Sequence, residues 1–137
     1  MTEHVVVVAA VIEQQGSFLV SRRLSGTHLA GYWEFPGGKV HEGEAHEDAL
    51  RREVAEELNT GITGLRKIFQ TSHSYPERVV DLYFYRGSLI GRPEPALGQE
   101  LRWITREDFD RLAFPPADAE LIAGLVGGRL SNGASLG

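Results

Sequence analysis

Residues 4 to 12, His-Val-Val-Val-Val-Ala-Ala-Val-Ile, form an almost unbroken apolar run rich in β-branched side chains. A run of this length with no polar face predicts a strand covered on both sides. Glu13-Gln14-Gln15-Gly16 then predicts a turn, and Ser17 to Arg23 its hairpin partner, ending on two arginines. Leu24 to Tyr32 is expected to be a loop, broken by Gly26 and Gly31. Between Ala45 and Leu58 the apolar positions change period: Ala49, Leu50, Val54 and Leu58 fall on one stripe of a helix whose other positions are mostly charged. Asn59, Thr60 and Gly61 should stop it, with Asn59 tolerating the left-handed conformation.

Downstream, Leu65 to Ser72 and Val79 to Leu89 predict two more strands, and Gly91 to Gly98 a loop. Leu101 to Ile104 reads as a short strand. Thr105 and Asp108 stand in capping-box register before a short helix over Glu107 to Leu112. Pro115-Pro116 should open a last helix over Asp118 to Val126. Strands flank one conspicuous helix without regular alternation, which predicts an α+β fold rather than a doubly wound parallel sheet.

The chain has 137 residues, 42% hydrophobic and 9% aromatic, enough for one domain with its own core. We expect that domain to span residues 1–127 and to be followed by a flexible tail, 128–137, rich in glycine and serine. There is no cysteine, which removes disulfides, zinc-thiolate sites and a cysteine nucleophile together. No apolar run is long enough to span a membrane, and the first strand lacks a basic leader, so no membrane partner and a cytoplasmic location are expected. With 14 basic and 19 acidic residues the net charge is −5, the wrong sign for a nucleic-acid polymer as partner.

The helix carries the chemistry. At about 100° per residue, Glu53, Glu56 and Glu57 share one side of it, and like charges so spaced repel. Such a face is either simply solvated, relieved by Arg51 and Arg52, or a site for a hard cation; oxygen donors without cysteine point to magnesium or manganese rather than zinc. The residues upstream bear on the choice. Gly38, Glu44, Arg52, Glu53, Val54, Glu56 and Glu57 stand in the pattern glycine, five residues, glutamate, seven residues, Arg-Glu-apolar-any-Glu-Glu.

This pattern resembles the Nudix box, and the resemblance extends over most of residues 4 to 126, closest to the MutT-like and CTP pyrophosphohydrolase-like branch. It implies a Nudix-type α/β/α sandwich with a mixed sheet and a loop-helix-loop catalytic segment. It further implies a magnesium-dependent (manganese also being usable) nucleoside triphosphate diphosphatase that yields a monophosphate and pyrophosphate and cleanses the nucleotide pool. ADP-ribose or dinucleotide hydrolysis, and a sensor that binds without turnover, remain open, as do monomer and homodimer. By the same resemblance Glu53, Glu56, Glu57 and the backbone at Gly38 hold the metal. Arg52 orients Glu53, Glu44 belongs to the catalytic segment, and Lys39 meets phosphate, unless it is a solvated loop lysine.

Arg23, Phe35, Arg78 and Asp118 fall where that branch binds substrate. Asp118 occupies a position filled by asparagine where an oxidised guanine nucleotide is read and by aspartate in the CTP-cleaving members. An ionised aspartate only accepts hydrogen bonds, so it suits a base edge that presents donors; alternatively it is the N-cap of the last helix. Phe35 either stacks on a base or belongs to the core, and Tyr75 poses the same choice. The chain departs from the family twice. Asn59-Thr60 replaces the usual glycine and apolar residue, with Ile62 as the substitute anchor, and Leu97 stands where many relatives carry a loop glutamate. Glu100, or else Glu94, could replace that carboxylate; both could equally be surface residues.

Overall fold

The computed structural model describes residues 3–27 and 29–130. The apolar run is strand β1 (Glu3–Val11), and its side chains alternate between two cores. Val8, Ala10 and Ile12 pack with helix α1 (His46–Leu58) through its predicted stripe of Ala49, Leu50, Val54 and Leu58. Ala9 and Val11 face the opposite way, into a second cluster with Phe18, Trp33, Phe35, Phe84 and Phe109. A strand with no polar face is thus explained by apolar layers on both its sides.

The predicted hairpin forms, but only beside its turn, where the Leu19 N–H also donates to Ile12 O at 3.0 Å. After Ile12 the chain leaves the first sheet, and only β2 (Glu13–Gln14) turns back on β3 (Ser17–Arg22), through Gln15 and Gly16, both at positive φ. Two central residues with positive φ match the twist of a tight hairpin. The partners of β1 come instead from further along the chain: β5 (Gly37–Lys39) antiparallel on one edge and β7 (Arg78–Leu89) parallel on the other, with β6 (Ile62–Tyr75) antiparallel outside β7. The parallel pairing runs the length of β1, from Glu3 opposite Arg78 to Val11 opposite Arg86, so it buries more backbone donors than a local hairpin would.

A second four-stranded sheet, which the sequence pattern does not predict, has β3 at its centre. β2 and β4 (Trp33–Glu34) lie along one edge of β3 and β8 (Leu101–Ile104) along the other. Beyond it, Thr105 donates its backbone N–H to Asp108 at 3.0 Å, as the capping box requires. The turn it opens is a short 3₁₀ helix, Arg106–Asp110, and not an α-helix. A second 3₁₀ turn, Pro116–Asp118, leads into helix α2 (Ala119–Val126). α1 covers one face of the mixed sheet, and the second sheet and α2 cover the other, an α+β sandwich.

Asn59 ends α1 in the left-handed conformation, with φ 54° and its N–H donated to Ala55 O. Ile62 is buried against α1, as the substitute anchor should be. Gly127 to Leu130 form a turn, with Leu130 packed back on the second cluster; residues 131–137 of the expected tail lie outside the described residues.

Leu50 is fully buried where α1 meets the sheet. Leu50→Ala is expected to destabilise the protein by about 2–5 kcal/mol in urea unfolding, through lost burial and a residual cavity; a loss below about 1 kcal/mol would mean that α1 packs more loosely than described.

Candidate active site

Two glycines bring the loop before α1 onto the sheet. Gly37 lies so close to β1 that a Cβ there would collide with the Val8 carbonyl oxygen. At Gly38 a Cβ would stand 2.5 Å from the Glu53 carboxylate. The carboxylate of Glu53 therefore rests directly on the backbone of β5, and a larger residue at Gly38 would displace it.

Arg52 holds this arrangement. Its Nε and Nη2 donate to the two carboxylate oxygens of Glu44, both at 2.9 Å. Nη2 also donates to the Lys39 carbonyl at 3.0 Å, and Nη1 to Glu53 Oε1 at 2.9 Å. Such two-pronged, charge-assisted pairs are strong and directional. One guanidinium so joins the loop, the helix and the carboxylate. The hydrogen bonds from Arg52, and then the His41 N–H, hold the Glu44 carboxyl at about 2, well below the usual range. Glu44 is thus the anchor of Arg52.

The three helix glutamates separate into a pair and an outlier. Glu57, one turn after Glu53, lies about 40° from it around the helix, whereas Glu56 lies about 60° away on the other side. Glu57 accepts a bond from the Gly37 N–H at 3.3 Å. Its carboxyl is pushed well above the usual range, first by burial, then by the charges of Glu34 and Glu53 and by a shared side-chain hydrogen bond with Glu53. Glu56 is 57% exposed and directed toward Arg52 at 3.7 Å. Among the described residues no three carboxylates or imidazoles converge as a finished ligand set. The donors nevertheless fit a hard divalent cation: they are oxygens only, and the crowded Glu53–Glu57 pair is what a cation would relieve.

Beside the pair opens a cleft of about 630 Å³, walled by β1, β5, the turn between β6 and β7, and Pro115 to Asp118. Gly38, Lys39, Arg23, Phe35, Arg78 and Asp118 line this one cleft, together with Tyr75. Phe35 serves as both floor and core: it is buried among Phe84, Phe109 and Phe114, with ring centroids 5.8–6.1 Å away, yet one side lines the cleft. The N-cap role of Asp118 does not appear. Its backbone is already helical, and its side chain makes no capping hydrogen bond. It is 6% exposed, and burial, then the charge of Glu34, raises its carboxyl to about 7.

Glu34 is the cleft residue that sequence reasoning missed. It accepts from Arg23 Nη1 at 2.7 Å, and its carboxyl is raised by burial, against the pull of Arg23. Its charge reaches both Glu57 and Asp118, so it links the two ends of the cleft. The alternation Trp33-Glu34-Phe35, with both aromatics buried, was the available signal. The candidate replacements for the loop glutamate lie elsewhere. Glu100 stands between Arg22 at 3.5 Å and Arg102 at 3.3 Å, and Glu94 accepts from the Asn59 side chain at 2.7 Å. Leu97 itself is 55% exposed. Next to it Gln99, buried, accepts from the Leu97 N–H and donates to Glu57 O at 2.8 Å, tying this loop to the end of α1.

A family model described as NUDIX domain matches residues 7–124. Among curated proteins, an 8-oxo-dGTP diphosphatase of Haemophilus influenzae is 36% identical over 88% of this chain and 90% of its own length. The CTP pyrophosphohydrolase of Escherichia coli is 32% identical, with 85% and 87% covered. Among solved structures, the E. coli ORF135 protein superposes with a TM-score of 0.83 at 29% identity, covering 98% of this chain and 96% of that one.

The raised carboxyl of Asp118 carries a stability consequence. The folded protein binds this proton more tightly than the unfolded chain, so stability falls as pH rises from about 4 to about 7 and is level above. Each unit of displacement is worth about 1.4 kcal/mol. Asp118→Asn is therefore expected to raise the melting temperature by several degrees at pH 8 and to leave it unchanged near pH 4; equal effects at both would show that Asp118 is not desolvated.

Proposed function

The chain belongs to the NUDIX domain family, and on that premise we propose that it is a magnesium-dependent, MutT-like nucleoside triphosphate diphosphatase that converts a normal, oxidised or modified (d)NTP to (d)NMP and pyrophosphate. The observation that carries this reading is a cleft whose wall at Gly37 and Gly38 is backed by the Glu53–Glu57 pair and whose wall at Pro115 to Asp118 presents a buried aspartate. A nucleoside triphosphate has that polarity: charged groups needing cations at one end, a flat base with donors and acceptors at the other. The curated relatives named 8-oxo-dGTP diphosphatase and CTP pyrophosphohydrolase support it.

Glu53, Glu57 and Glu56, with the backbone at Gly38, are the groups to hold the cation. Magnesium, or manganese in its place, would there offset phosphate charge and make water a stronger acid. Lys39, exposed on β5 at the cleft wall, extends toward the phosphates, while Arg23 and Arg78 add positive charge on two further walls. Arg52 keeps Glu53 in one orientation, which suits Glu53 to accept the proton of the attacking water. Phe35 offers an apolar floor. Near pH 7 Asp118 exists both as a carboxylic acid, which donates and accepts, and as a carboxylate, which accepts only. This makes it a discriminator of base edges, with Glu34 beside it.

Incubation with magnesium and a panel of canonical, oxidised and methylated nucleoside triphosphates should release pyrophosphate and the monophosphate from at least one. Turnover of a dinucleotide or nucleotide sugar, and of no triphosphate, would contradict the substrate class. Glu53→Gln should lower kcat by more than about a hundredfold while nucleotide binding persists. Activity equal to the parent would remove Glu53 from the chemistry, and binding without turnover in the parent protein would indicate a sensor.

A further inference from the structure

At the far end of β1 from the cleft lies a second polar pocket that hydrolysis does not use. The cleft is lined by Val5, Val7, Val8 and Ala9 of β1, the second pocket by Val11. On β7 the same-face row Leu82, Phe84, Arg86, Ser88 leaves the core after Phe84. Arg86 stands directly opposite Arg66 of β6 in the antiparallel register. Like charges facing each other across a strand pair are destabilising. Among the described residues the Arg66 side chain forms no hydrogen bond or ion pair. Burial, then Arg66, pushes the Arg86 guanidinium below its ordinary range, with Glu13 pulling the other way. Glu13 is also shared with Arg106, at 3.5 Å. Arg86 and Arg106 therefore share the one carboxylate, Glu13, that lines the pocket beside Arg66.

The strand pair is irregular at the same place. Its register shifts between Thr63 and Arg66, where Gly64 takes φ +69°, and a pocket of about 170 Å³ opens beside the bulge. That is room for about five or six waters at their liquid volume, enough for a phosphate or pyrophosphate ion.

We propose that Arg66 and Arg86, with Ser88 and the backbone of the Gly64 bulge, form a second oxyanion site that takes a small phosphate-class anion and is separate from the catalytic cleft. A guanidinium fork matches two phosphate oxygens, and an anion seated between the two arginines turns a repulsive cross-strand pair into an attractive three-centre one. Glu13, engaged by Arg106, borders the pocket and keeps its positive charge local, so a small ion is favoured over a polyanionic strand. Pyrophosphate is chosen as a probe because the proposed reaction releases it; the site itself does not depend on that reaction.

The test uses the whole protein in EDTA, so that no divalent cation can bridge an anion to the cleft carboxylates. Inorganic phosphate and pyrophosphate are titrated separately at constant ionic strength in chloride, and backbone amide resonances are followed by NMR. Saturable shifts at Gly64, Arg66, Gly87 and Ser88 are expected, weakened at least about tenfold in Arg66→Gln. Without anion, Arg66→Gln should unfold at a temperature no lower than the parent, since a like charge has been removed, and nucleotide turnover should be unchanged. Whichever probe binds more tightly names the ion, and either order supports the site. Shifts that never saturate, saturable shifts confined to Arg23, Lys39 and Arg78, or equal binding by Arg66→Gln would each overturn it, whether or not the protein hydrolyses any triphosphate.

Discussion

The site depends on one guanidinium. Without Arg52, the loop that carries Gly37, Gly38 and Lys39 and the helix that carries Glu53 would be joined only by packing and by weaker polar contacts such as the 3.3 Å bond from Gly37 N–H to Glu57. With it, five polar atoms of four residues are placed: both oxygens of Glu44, the Lys39 carbonyl, Glu53 and, more loosely, Glu56. The clamp permits an otherwise costly arrangement, in which the half-buried Glu57 lies within reach of the charges of both Glu53 and Glu34. Stability is given up there locally, and the two apolar layers around β1 are where the fold makes it good.

The same layers explain why the site has two chemically different ends. β1 sends alternate side chains to α1 and to the aromatic cluster, so the sheet has no solvated face. The carboxylates lie where the loop crosses the sheet edge, and Asp118 lies where α2 starts against the aromatic cluster. An acid is costly in such a place unless it keeps its proton, and Asp118 does so up to about pH 7. On the proposed function, charge recognition and base recognition would fall on either side of the apolar floor of Phe35.

Much of the catalytic helix was legible because its signal is local. The stripe of Ala49, Leu50, Val54 and Leu58, the left-handed Asn59 and the spacing from Gly38 to Glu57 are all read within about twenty residues. The second sheet was not legible. Glu13–Gln14 and Trp33–Glu34 are two-residue strands, too short to show a period, and the parallel pairing of β1 with β7 joins residues some seventy-five positions apart. Glu34 escaped notice for the same reason, and so did Gln99, whose two hydrogen bonds exist only once the loop has folded onto α1. The converse holds for Glu56: helical spacing alone groups it with Glu53 and Glu57, and only the side-chain geometry sets it apart, beside Arg52. The choice left open at Asp118, cap or base reader, is decided against the cap by backbone geometry that no sequence pattern encodes.

The central claim is that Glu53, held by Arg52 against the backbone of Gly38, and Glu57, on the Gly37 N–H, are the divalent-cation platform of a nucleotide hydrolase. Anomalous diffraction from a crystal soaked with manganese and a non-hydrolysable nucleoside triphosphate tests it most directly. A manganese peak bridging Glu53 and Glu57 to the phosphates, with Arg52 still on Glu44 and the base against Asp118, is the predicted result. Manganese bound only at exposed carboxylates such as Glu47 or Asp48, with Glu53 and Glu57 unchanged beside the bound nucleotide, would contradict it.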